Sequence, residues 1–83
     1  MIKLIVMENL VLIAQIEEVG SELGEPDCKL INPFCVNADN GTLSPWLSQY
    51  SSQGDFMIHS DKILTIAEPN TKLLERYQKV TDE

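Results

Sequence analysis

Three side chains in this sequence have the chemistry to ligate a metal or form a nucleophile and base pair: Cys28, Cys35 and the single histidine, His59. A structural zinc takes four ligands in tetrahedral geometry, usually with paired C-x-x-C spacing, whereas Cys28 and Cys35 stand seven apart with Pro33 between them. Two cysteines are also too few for a disulfide framework. A nucleophilic Cys–His pair has no local signature here to recommend it. The sequence has no G-x-S-x-G, no glycine-rich phosphate loop and no H-E-x-x-H. The expectation is a protein that is not an enzyme and carries no cofactor or metal. Its thiols then serve as small apolar side chains.

A second group is polar and local. His59, Ser60, Asp61 and Lys62 are consecutive, between two short apolar stretches read as strands at 56–59 and 63–67. Phe56, Ile58, Ile63 and Ile66 carry the apolar weight there. Polar loops on rigid strands are where small β-domains keep binding chemistry. His59 can stack on a base or donate to a phosphate, or simply bond to its loop neighbours. Trp46, with Tyr50 and Phe34, offers either a stacking platform or an anchor at a core or subunit interface. Glu17, Glu18, Glu22, Glu25 and Asp27 read as a solvated face, without calcium-loop spacing.

The chain has 83 residues, with six Lys or Arg against 13 Asp or Glu, for a net charge of −7. That length makes one domain with a small core, of the size that assembly often stabilises. The charge argues against duplex DNA, whose binding depends on clustered cations that release counterions. Weak binding of a single RNA strand at one local site stays open. No apolar run reaches the roughly 18–20 residues of a membrane helix, and the first residues continue as a strand rather than as a cleavable leader. The expected location is the cytoplasm, away from membranes.

These side chains need a scaffold, and the pattern predicts a mostly β one. Residues 2–7 are an apolar run, and Glu8-Asn9 suits a two-residue turn because Asn tolerates left-handed backbone. Residues 10–19 read as a long strand, buried on both faces early and half-solvated late; a helix there is the alternative. Residues 20–27 are a Gly/Pro-punctuated loop. A strand at 28–31 reaches Asn32-Pro33 and continues past a bend or bulge over 34–37. Asn40-Gly41 marks a hairpin returning through Thr42-Leu43, and residues 48–55 form a polar loop. Pro69 stops the last strand, Asn70 caps a helix over about 71–80, and Leu73, Leu74, Tyr77 and Val80 share its apolar face. Lys72, Glu75, Arg76 and Lys79 take the solvated face, and residues 81–83 are expected to fray. The class is all-β: a small, closed or nearly closed bent barrel of five strands, spanning about 2–67, with a short C-terminal helix.

The stretch from Met57 to Ile66 (MIHSDKILTI) resembles the second Sm motif, and residues 9–19 with Cys28-Lys29-Leu30-Ile31-Asn32-Pro33 resemble the first. Nearly the whole chain is similar to small Sm-like proteins of tailed phages of marine cyanobacteria. The similarity rests on Ile13, Ala14, Ile16 and Glu17, on Leu30 to Pro33, on Pro45-Trp46, and on Glu68-Pro69 through Tyr77. The resemblance implies an SH3-like barrel that forms a homo-oligomeric ring by edge-strand pairing and binds single-stranded RNA at its inner rim. By position it gives RNA contacts to His59 and Ser60; Asn32 is a further candidate RNA contact, and Trp46, Phe56, Ile58 and Ile66 are the candidate subunit interface. It also implies the cytoplasm of an infected bacterial host. The chain departs from the family at His59, where Arg is usual, and at Ala14, where glycine is usual. Three readings follow: an RNA-binding ring, the same barrel as an acidic protein-interaction module, and a metal or thiol site around Cys28, Cys35 and His59.

Overall fold

The structure, a computed structural model, describes residues 2–20 and 22–81. In chain order these form β1 (Ile2–Val6), β2 (Val11–Glu18), β3 (Cys28–Val36), β4 (Leu43–Pro45), β5 (Asp55–Ile58), β6 (Thr65–Ala67) and α1 (Thr71–Thr81). A short 3-10 turn, Ser60–Lys62, joins β5 to β6. The domain is all-β with a C-terminal helix, as the pattern predicts. The expected fraying of Asp82 and Glu83 lies outside the described residues, as does Ser21 in the loop after β2.

All strand pairings are antiparallel, in the order β4-β3-β2-β1-β6, with β5 also on β3. β4 pairs with the Phe34–Val36 end of β3 and β5 with its Cys28–Ile31 end, so they share one edge of that strand. Six strands therefore fill five lanes. The sheet is curled, since Cys28 of β3 and Ile66 of β6 line one groove although three lanes apart. It does not close: β5 and β6 pair with β3 and β1 respectively, and not with each other. The sequence reading allows a closed or nearly closed barrel of five strands; the sheet has six strands and is not closed. The connection between β5 and β6 is spent on a 3-10 turn, and β6 is docked on β1 by the Leu64 N–H, which donates to the Val6 carbonyl at 2.8 Å.

The strand reading of β2 holds, and its burial follows the predicted gradient. Leu12, Ile13 and Ala14 are fully buried, while Gln15, Glu17 and Glu18 are exposed. Ile5, Leu12, Ala14, Cys28, Leu30 and Ile58 form the core cluster; burying a large aliphatic side chain contributes about 1.5–3 kcal/mol. The Glu8-Asn9 turn differs from expectation. The Met7 N–H donates to the Leu10 carbonyl at 2.9 Å, but neither turn residue is left-handed. Among the described residues only Asn32 (φ 52°) and Leu47 (φ 62°) are non-glycine residues with positive φ.

β3 bulges at Asn32-Pro33 and continues beyond it, as the pattern predicts. Ile13 faces Phe34 and Gln15 faces Ile31, so Ala14 opposes two residues, Asn32 and Pro33. The proline has no N–H to lose, and the left-handed Asn32 turns the chain. α1 starts as predicted, with the Leu73 N–H bonded to the Asn70 side-chain oxygen at 2.8 Å. Tyr77 is buried; its hydroxyl donates towards the carbonyls of Asn32 (2.9 Å) and Ile31 (3.1 Å), and its ring meets Phe34 edge-on at 5.8 Å. Two helix assignments change. Val80 is exposed, and Arg76 is not free on the solvated face. Its guanidinium bonds the Gly41 carbonyl at 2.8 Å, so close that a Cβ on Gly41 would collide with it. Gly41 also sits at φ 71°, which glycine alone adopts without strain.

Replacing Tyr77 with Phe keeps the ring contact and removes the single O–H shared between the Asn32 and Ile31 carbonyls. The expected cost is about 1–2 kcal/mol in chemical denaturation.

Candidate functional site

The sequence-expected RNA contacts fall into two separate places. His59 follows β5 in extended backbone (φ −84°, ψ 132°), and its exposed side chain makes no capping hydrogen bond. Its carbonyl accepts the Lys62 N–H at 3.1 Å, closing the 3-10 turn. Ser60 is pinned: its N–H and its hydroxyl each donate to the Asp27 carboxylate at 2.7 Å. That pair ties the end of the β2–β3 loop to the β5–β6 turn. The Asp27 carbonyl meanwhile accepts the Val19 N–H at 3.0 Å, which closes the loop on itself.

Asn32 is elsewhere. It lies four residues along β3 from Cys28, roughly 13 Å for an extended strand, and Cys28 is the register partner of Ile58 beside His59. The structure therefore brings Asp27, His59 and Ser60 together and leaves Asn32 out, against its expected grouping with the other two. Asp27 is the residue that sequence reasoning missed. Its acid stood among other acids, and its partner is 33 positions away, so no local pattern marks it.

The expected interface residues also divide. Ile58 is buried in the chain's own core, because alternation along β5 turns it inward and Met57 outward. Trp46 and Phe56 pack on each other, with ring centroids 5.5 Å apart. Ile66 is half exposed, and so are Met57 and, more fully, Leu64. Beside them Ile16, Cys28, Ile63, Leu64 and Ile66 line a mostly apolar groove of about 620 Å³, with Lys3 and Glu18 at its polar margin. A shared platform of Phe34, Trp46 and Tyr50 does not form. Phe34 is engaged by Tyr77, and Tyr50 stands exposed.

The metal or thiol reading groups Cys28, Cys35 and His59, and the fold parts Cys35 from the other two. Cys28 and Cys35 sit at opposite ends of β3, seven residues and roughly 20 Å apart. Among the described residues no cluster of three or more His, Cys, Asp or Glu has metal-binding geometry. Burial pushes both thiols above their ordinary range, which keeps them protonated and poor nucleophiles. No helix among the described residues is long and apolar enough to cross a membrane.

Together these features define a small antiparallel β-domain with an open sheet, a pinned loop cluster at one end and an apolar groove beside its free edge. Residues 1–82 match the model of DUF6561, a family of unknown function, and the chain belongs to that family. No curated protein matches the sequence.

The Asp27 carboxyl is held below its ordinary value of 3.8, first by the Ser60 hydroxyl, then by the Ser60 N–H, with a smaller contribution from the charge of His59. A depressed carboxyl stabilises the fold above its unfolded pKa, and that contribution disappears as pH falls through the lower folded value. Acid titration of the wild type is expected to show this loss below pH 3.8. In Ser60→Ala the Asp27 carboxyl resonance should titrate at higher pH, closer to its ordinary value. An unchanged titration would mean that the Ser60 hydroxyl does not hold the acid.

Proposed function

We propose that this protein is a non-catalytic Sm-like module that assembles with copies of itself through its open sheet edges and binds single-stranded RNA at the His59–Ser60–Asp27 end. The observation that carries the reading is that the outer edges of β5 and β6 pair with no strand among the described residues and are flanked by exposed Met57, Leu64 and Ile66. Such edges expose unsatisfied N–H and C=O groups and invite a further strand. Pairing β5 of one copy with β6 of the next is a heterologous contact, and repetition around an axis closes a ring. The apolar groove beside β6 supplies a surface for that contact to cover.

Assembly would repeat the loop cluster around the ring axis. An exposed histidine side chain without a hydrogen-bond partner among the described residues suits stacking on an unpaired base, and Asp27 holds the turn that presents it. Similarity to the Sm motifs at residues 57–66 supports RNA as the ligand.

A second reading has its own observation. Glu18, Glu22, Glu25 and Asp27 lie at the same end as His59 on a chain of net charge −7, a field that repels phosphates. On that reading the same assembly presents its acidic end to a protein partner.

Two measurements decide. By sedimentation the wild type is expected to be a defined oligomer, and Ile66→Glu a folded monomer; a monomeric wild type would remove the proposal. Anisotropy of labelled oligo-U and oligo-A across a salt series is expected to show micromolar binding that weakens with salt and is reduced in His59→Ala. A stable oligomer indifferent to RNA would select the acidic protein-interaction reading.

A further inference from the structure

A second groove, of about 290 Å³, lies where the kink of β3 faces the irregular segment between β4 and β5. Asn32, Phe34, Trp46, Ser52, Gln53 and Phe56 are among its lining residues. Its volume is at the small end of ligand pockets, which limits the occupant to about one small ring system. No charged side chain lines it, although the chain as a whole is strongly acidic. Phosphate and carboxylate groups gain nothing there, so recognition must come from a ring face and from neutral hydrogen bonds.

The groove is also where the chain is strained. The only two left-handed non-glycine residues among those described are Asn32, in its wall, and Leu47, between the lining residues Trp46 and Ser48. Left-handed backbone is unusual for leucine, and such strain gathers where structure is held for a ligand. Asn32 is held from both sides: its N–H donates to the Gly54 carbonyl at 2.8 Å and its carbonyl accepts from Tyr77. Its side-chain amide has no hydrogen-bond partner among the described residues, and neither has the Ser52 hydroxyl. Gln53, by contrast, already spends its amide on the Asp55 carbonyl.

The Asn32 amide sets an N–H donor and a C=O acceptor side by side in a groove that Trp46 also lines, a pairing that matches the N6/N7 edge of adenine. We propose that this groove binds one neutral adenine ring, stacked on Trp46 and hydrogen-bonded through the Asn32 amide. The ring comes either from a free nucleoside or from a base of a single strand. The site is separate from the His59 end and does not depend on that reading.

Trp46 is the only tryptophan, so its fluorescence and indole N–H resonance report on the groove directly. Adenosine is expected to perturb both saturably, uridine less, and glucose not at all. Asn32→Gly keeps the left-handed backbone available and removes only the amide, and should weaken adenosine by about fivefold or more. A response to oligo-A but not to adenosine would assign the base to a strand and support the site. His59→Ala should leave the response intact even if it abolishes RNA binding to the assembly, which separates failure of the two ideas. Silence of Trp46 towards both adenosine and oligo-A would overturn the proposal, as would equal binding by Asn32→Gly.

Discussion

The kink of β3 at Asn32-Pro33 is the constraint on which the rest of this fold depends. β3 is the longest strand and the only one that holds three others, with β2 on one edge and β4 and β5 sharing the second. Two different strands can share that edge because the bulge redirects β3 between its two halves. Backbone groups freed by the bulge are not left unpaired. Gly54 takes the Asn32 N–H, and the Tyr77 hydroxyl serves the carbonyls of Ile31 and Asn32. The helix thus acts as a brace for a distortion in the sheet, and burial of Tyr77 raises its hydroxyl pKa, keeping it a proton donor.

That brace shapes both candidate sites. On the kink's outer side it sets Asn32 opposite the β4–β5 segment and opens the neutral groove around Trp46. At the other end of β3, the Cys28–Ile31 half pairs with β5 and so delivers His59 and Ser60 beside Asp27. The same geometry that positions these loops leaves β5 and β6 with open outer edges. An 83-residue domain with a small core has reason to cover such edges.

Much of the architecture was legible in the sequence. Alternation and β-branched residues marked β1, β2 and β6, the Asn40-Gly41 pair marked the hairpin, and Asn70 marked the start of α1. The bend at Asn32-Pro33 was legible too, since proline cannot continue a regular ladder. The separation of Ile58 from Ile66 was not: both are isoleucines in strands consecutive along the chain, and only their register against β3 and β1 makes one core and the other surface.

The sequence by itself determined the class of the domain and the positions of most of its elements, because turn chemistry and side-chain periodicity act over a few residues. Only the tertiary structure decided which polar groups meet. Asp27 holds Ser60 across 33 positions, and Tyr77 reaches Asn32 across 45. Asn32 is parted from His59 by half the length of β3. These outcomes follow from strand register and from where a helix docks, and those depend on packing summed over the whole chain rather than on any local pattern.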